Sequence, residues 1–251
     1  MDPDLMQALS NQLLAAADDE LILGHRDSEW TGHAPILEED IAFANIAQDE
    51  IGHAIIWYSL LAELTGHDPD RQVFFRDAEA YRNVQLVELP RGDWAFSMVR
   101  QYLFDAAEMV RLADWVNSRY QPLAEAAAKI RKEEIYHYRH THTWVQRLGL
   151  GTDESHRRTQ NALDEMWPYV FQLFAALPGQ ALLIQAGIVS DPRQVCQEWE
   201  ARVLPSLRES GLQVPAQPDS AIAQRHQHTR YLTELLAEMQ QVARLDPEAQ
   251  W

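Results

Sequence analysis

Two stretches of the chain decide its fold: Phe43-Ala44-Asn45-Ile46-Ala47-Gln48-Asp49-Glu50-Ile51-Gly52-His53-Ala54-Ile55-Ile56-Trp57 and Ile130-Arg131-Lys132-Glu133-Glu134-Ile135-Tyr136-His137. Each contains a Glu-x-x-His, and positions i and i+3 of a helix share one face. Each pair also interrupts an apolar stripe of helical period. In the first stretch the stripe is Phe43, Ile46, Glu50, His53, Trp57 and Leu60; in the second it is Ala127, Ile130, Glu134, His137, Thr141, Trp144 and Leu148. An apolar stripe points into a core, and a buried carboxylate is costly unless it is paired or binds a metal. The motif alone is weak, because 20 Glu and 10 His in 251 residues would give about 0.8 such pairs by random placement. The position on inward faces carries the argument.

Working outward, the pattern predicts an all-α protein, since alternating Val-Ile-Thr runs are nearly absent. A first helix runs from about Pro3 to about Gly24, and a turn with Trp30, Gly32 and Pro35 leads to a second over Leu37 to Thr65. Gly66 and Pro69 stop the second helix. Asp70 to Arg91 reads as irregular, with one short helix at most. Asp93 can cap a third helix, from about Trp94 to Asn117. A tight link at Tyr120-Gln121-Pro122 precedes a fourth, from about Leu123 to Leu148. After the Gly149–Asp153 turn, a fifth helix holds Leu163, Trp167, Phe171 and Phe174, and Asp191-Pro192 opens a shorter sixth. Gly211 to Asp219, with Pro215 and Pro218, reads as a linker, and a last helix runs from about Ala221 to Arg244.

Short connections make antiparallel neighbours. Helices one and two, and three and four, therefore form two hairpins of a four-helix bundle over about residues 3–148. An additional C-terminal helical part covers about 153–245. No boundary forces two domains, so residues 1–251 are expected to form one.

A di-metal carboxylate bundle also takes one Glu from each of the other two helices. Glu20 lies on the stripe with Leu13, Ala16 and Leu23, and Glu108 on that with Phe104, Leu112 and Trp115. The chain then reads as two similar halves, each donating Glu … Glu-x-x-His. The expected set is Glu20, Glu50, His53, Glu108, Glu134 and His137. Four carboxylates and two imidazoles suit two iron or manganese ions better than zinc, whose structural sites favour four-coordinate Cys/His sets. Asp49 and Asp105 are placed to accept the outer imidazole N–H groups. The ordinary alternative is a surface role for Glu20 or Glu108 taken singly. His140 and His142 read as helix-surface residues, and His226 and His228 as surface or interface. Cys196 has no evident catalytic partner.

The net charge of −17 argues against nucleic acid, which requires Lys and Arg to displace phosphate counterions. One cysteine permits no intrachain disulfide. No run approaches a membrane span. Met1 to Leu14 lacks the basic and apolar regions of a secretion signal. A cytoplasmic protein is expected. There is no G-x-G-x-x-G, Walker loop or G-x-S-x-G.

Further runs carry a resemblance. Arg26-Asp27-Ser28-Glu29-Trp30-Thr31-Gly32-His33-Ala34-Pro35, Ala44 to Asp49, and Arg100-Gln101-Tyr102-Leu103-Phe104-Asp105-Ala106 are three of them. Arg147-Leu148-Gly149 with Gly151-Thr152, and Leu236-Ala237-Glu238-Met239-Gln240 before Trp251, complete the set. Together they resemble the structural-subunit (PaaC) family of the bacterial phenylacetyl-CoA epoxidases, over nearly the whole chain. The resemblance implies a ferritin-like fold within a multicomponent oxygenase that epoxidises the aromatic ring of phenylacetyl-CoA. Electrons come from a separate flavin and iron–sulfur reductase. It also implies a sister subunit that carries the working di-iron centre and binds the thioester, while the structural subunit supports it and has often lost its ligands. This chain departs from that pattern in keeping all six candidates. It departs again at Ala223-Gln224-Arg225-His226-Gln227 before His228-Thr229, where relatives tend to be glycine-rich, so a partner contact there is expected to differ.

The function expected from sequence is thus an oxygenase subunit that assembles with the catalytic subunit, and a homodimer when alone. An autonomous di-iron or di-manganese protein that activates oxygen or peroxide is the alternative. A ferritin-type metal store fits the extra helices less well.

Overall fold

The computed structural model describes residues 1–217 and 221–248. Pro218 and Asp219 of the expected linker and the terminal Trp251 lie outside them. Eleven α-helices and no strand occur among the described residues: α1 (Pro3–Ser28), α2 (Leu37–Thr65), α3 (Pro69–Phe74), α4 (Gln85–Glu88), α5 (Trp94–Trp115), α6 (Gln121–Gly149), α7 (Asp153–Val170), α8 (Gln180–Gln185), α9 (Pro192–Glu209), α10 (Arg230–Met239) and α11 (Gln241–Leu245). None of these is long and apolar enough to cross a membrane.

The bundle is built as two hairpins. α1 packs mainly on α2, α5 packs mainly on α6, and α2 meets α6 to join them. This is the all-α, ferritin-like arrangement expected. Local chemistry sets the helix ends. Asp2 caps α1 ahead of Pro3, Asp93 accepts the Phe96 N–H at 2.9 Å to start α5, and Gly66 ends α2 with φ 75°. Only glycine takes that left-handed conformation without strain.

α1 and α5 are buried on nearly every side, whereas α2 and α6 keep a solvent face. The crossover from α2 to α5 is laid along α1: the Arg82 N–H donates to Asp18 at 2.7 Å, the Val84 N–H donates to Asp19 at 2.8 Å, and Arg26 donates to the Glu88 carbonyl at 2.8 Å. α7 and α9 cover α5. The larger of two apolar clusters therefore runs from Leu9 in α1 through Trp199 in α9 to Leu236 in α10.

Several expectations need correction. α1 continues to Ser28, four residues past Gly24, because Arg26 reaches the crossover from its last turn. The crossover holds two short helices and a 3-10 turn, Ala78–Ala80, not one helix at most. The fifth helix ends at Val170, and Phe171–Phe174 tighten into a 3-10 turn just after Pro168. The short helix α8 has no counterpart in the sequence pattern. The last helix begins at Arg230, not Ala221. Residues 221–229 are irregular, with a turn at Arg225-His226, because Arg225 and His228 are tied inward, and Thr229 then caps α10 by accepting the Tyr231 N–H at 3.2 Å. α10 and α11 part at Gln240, whose amide donates to the Val73 and Arg76 carbonyls at 3.0 Å each. Tertiary hydrogen bonds here override local helix propensity.

Candidate metal centre

Three of the four bundle helices bring most of the expected set together. Glu20 comes from α1, Glu50 and His53 from α2, and Glu134 and His137 from α6, and all are fully buried. Donor atoms of Glu20, Glu50, His53 and Glu134 lie within 4.8 Å of one another. His53 Nδ1 is 3.8 Å from Glu20, 3.7 Å from Glu50 and 3.6 Å from Glu134. His137 closes the far side, its Nδ1 3.1 Å from Glu134 Oε1 and 3.4 Å from Glu50 Oε1.

Close helix approach makes this convergence possible. Gly24 lies one turn beyond Glu20, and a Cβ there would stand 2.9 Å from Ile51 Cγ1 and 3.1 Å from both Ala47 O and Glu50 Cβ. The missing side chain lets α1 seat against the turn of α2 that carries Glu50.

Several of the converging atoms complete no hydrogen bond. Both Glu20 oxygens, Glu50 Oε2, Glu134 Oε2 and His53 Nδ1 have no hydrogen-bond partner. Buried polar atoms are rarely left so. A divalent cation would satisfy these atoms and offset the carboxylate charge, so the residues present form a buried Glu/His cluster able to hold a metal.

Electrostatics agree with that reading. Burial, then the charges of Glu20 and Glu134, push the Glu50 carboxyl up to about 8. Burial alone would lower His53, yet the facing Glu20 and Glu50 hold its imidazolium up to about 11. Burial followed by Glu134 and Glu50 raises Asp105 well above the carboxylate range. Without a cation the cluster therefore keeps protons to limit its negative charge.

The outer imidazole nitrogens are held reciprocally. His137 Nε2 is 3.2 Å from Asp49 Oδ2, as expected. His53 Nε2 instead meets Glu133 Oε2 at 2.8 Å, and not Asp105. Each half thus supplies the carboxylate that orients the other half's histidine, from the residue just before its own inward Glu. The sequence signal for this exchange is the pair of doublets Asp49-Glu50 and Glu133-Glu134. Asp105 accepts from Gln101 at 2.9 Å and from Thr141 at 2.7 Å, and Gln101 also donates to Glu50 at 2.7 Å.

Glu108 is buried as expected but stays apart from the four clustered donors. Its Oε1 is paired with Arg111, one turn along α5. Arg111 also lies 3.6 Å from Asp19 Oδ2, to which Arg225 donates at 2.7 Å. Sequence reasoning missed both arginines, since neither the partner of Arg111 nor the depth of Arg225 follows from helical period. Two histidine readings also change: His228 is tucked against Glu88 at 2.6 Å, and His140 lies 3.0 Å from Glu39. Burial pushes the Cys196 thiol up to about 11, which disfavours the nucleophilic thiolate.

An all-α bundle of two helical hairpins that gathers one Glu and two Glu-x-x-His pairs about one buried centre is a ferritin-like carboxylate–histidine protein. This chain belongs to the phenylacetic acid catabolic protein family, whose profile matches residues 1–251. It is 39% identical over 248 residues to the C subunit of 1,2-phenylacetyl-CoA epoxidase from Escherichia coli K12, covering 98% of this chain and 100% of that relative. It is also 26% identical over 168 residues to the A subunit of the same organism's 1,2-phenylacetyl-CoA epoxidase, covering 67% of this chain and 54% of that relative.

Proposed function

We propose that this chain is the structural subunit of a multicomponent oxygenase that epoxidises the ring of phenylacetyl-CoA during aerobic phenylacetate degradation. The full-length match to the C subunit of the E. coli epoxidase carries this reading. The weaker match to its A subunit supports a partner subunit of related sequence, and the family resemblance implies that this partner performs the catalysis. In this reading residues 1–251 act as one domain, assembling with the catalytic partner and, when alone, with a second copy. Exposed Leu37, Ile41 and Ile55 on α2 and Ile135 and Tyr136 on α6 support such contacts, because apolar and aromatic residues are favoured at interface cores.

The centre supports a second role beside assembly. Bound iron or manganese would supply redox chemistry with oxygen or peroxide. Glu20, Glu50, His53, Glu134 and His137 would hold the metal, with Glu133 and Asp49 fixing the imidazoles. The full-length match to a C subunit favours a supporting role. Retention of the ligands favours the alternative, an autonomous metal-dependent protein.

Reconstitution separates the two readings. Product from phenylacetyl-CoA should require the catalytic partner together with the reductase, and this chain should co-purify with that partner. Product from this chain with reductase and substrate alone would overturn the structural-subunit reading.

A further inference from the structure

We infer that Arg111 stands in for a second metal ion, so that the centre of this chain takes one divalent cation and not two. The inference rests on the metal-binding reading above and concerns its stoichiometry.

Two ions would need donors on both sides of the Glu50 and Glu134 carboxylates. One side is complete: Glu20, Glu50, His53 and Glu134 present unpartnered buried atoms to a common centre. On the other side His137 is in place, but Glu108 Oε1 is taken by the Arg111 guanidinium. That pair is sheltered, with side-chain exposures of 11% for Arg111 and 0% for Glu108. A guanidinium cannot shed its proton in a protein. It therefore supplies a permanent positive charge, balancing a carboxylate that a second cation would otherwise neutralise.

The surroundings keep Arg111 at that task. Asp19, the residue of α1 just before Glu20, is the competing anion. Its Oδ1 accepts the Val84 N–H at 2.8 Å, and its Oδ2 accepts Arg225 at 2.7 Å while Arg111 stays at 3.6 Å. Arg225 arrives from the irregular 221–229 segment and is itself buried. Two arginines thus face two carboxylates, and Arg225 satisfies Asp19 so that Arg111 is left for Glu108. Glu108 Oε2 keeps no hydrogen bond, so a single charge contact, and no completed bond set, holds this side chain. Arg111 is in this sense a positioning residue that sets how many ions the centre accepts.

Titration of the metal-free full chain with Mn²⁺, followed by elemental analysis and EPR, tests the inference. The unaltered chain should bind one equivalent and show the signal of an isolated ion. Arg111→Met removes the guanidinium, while Asp19 keeps Arg225 and the Val84 N–H. This variant should bind a second equivalent and replace the isolated-ion signal with that of a coupled pair. Glu108→Gln should leave the stoichiometry at one, and it keeps the inference falsifiable if Arg111→Met fails to fold. Two equivalents in the unaltered chain, or a fall in stoichiometry with Glu108→Gln, would overturn the inference and leave the metal reading standing. One equivalent in a folded Arg111→Met chain would likewise overturn the inference alone, and no bound Mn²⁺ in the unaltered chain would overturn both.

Discussion

Nε2 of His53 lies 2.8 Å from Oε2 of Glu133, across the contact between the two hairpins. Asp49 makes the same kind of contact to His137 in the opposite direction. A carboxylate on the outer nitrogen fixes a ligating histidine's tautomer and raises its basicity.

Replacing Glu133 by Gln should therefore weaken metal binding without emptying the centre. The expected loss is about 10- to 100-fold in Mn²⁺ affinity, read by competition with a chelating dye. Because the Glu133 side chain is 46% exposed, thermal stability of the metal-free chain should change little. An unchanged affinity would show that the His53–Glu133 contact has no role in binding.

Metal should stabilise the chain by mass action. A ligand at about 100 times its dissociation constant adds about 2.7 kcal/mol, which for a chain of this size raises Tm by roughly 5–10 °C. Glu50→Ala combined with His53→Ala should abolish the shift with Fe²⁺ or Mn²⁺. Persistence of the shift in that double variant would place the responsible site elsewhere.

The metal-free chain should lose stability as pH rises. Glu50 moves from its ordinary 4.5 to about 8 on folding, so between these values the folded state holds a proton that the unfolded state releases. Stability then falls with pH across that window. His53, raised from 6.5 to about 11, acts in the same direction: its contribution is complete below 6.5 and disappears as pH rises through 11. Denaturation midpoints of the metal-free chain should be lower at pH 8 than at pH 5.5, and Glu50→Gln should flatten the difference. Metal binding displaces these protons, so apparent affinity should rise over the same range.

Gly24→Ala sets helix propensity against packing. Alanine gains about 1 kcal/mol inside a helix, but the new Cβ meets Ile51, Ala47 and Glu50 at 2.9–3.1 Å. Overpacking of this kind costs about 1–3 kcal/mol, so Tm should fall. Metal affinity should fall with it, because Glu50 shares the displaced turn. A higher Tm would show that α1 and α2 can separate without cost.

The stripe positions of Glu20, Glu50, His53, Glu134 and His137 were legible because helical geometry is local. A residue three or four places along a helix lies on the same face whatever surrounds it. The two hairpins were legible for a similar reason, since short loops leave few alternatives to antiparallel packing. Cap residues such as Asp93 likewise act on their own first turn.

Contacts between distant segments were not legible. Arg111 could have turned outward, and nothing in its spacing ties it to Glu108 or Asp19. Residues 221–229 read as helix until Arg225 and His228 find Asp19 and Glu88 some 206 and 140 residues away. By itself the sequence determined an all-α bundle with two Glu-x-x-His pairs facing inward, because helical period and capping depend on neighbouring residues. Only the tertiary structure decided which carboxylate orients His53, which buried arginine claims Glu108, and where the last helix begins. Those outcomes depend on how the helices rotate and approach, which brings together charges that no local pattern connects.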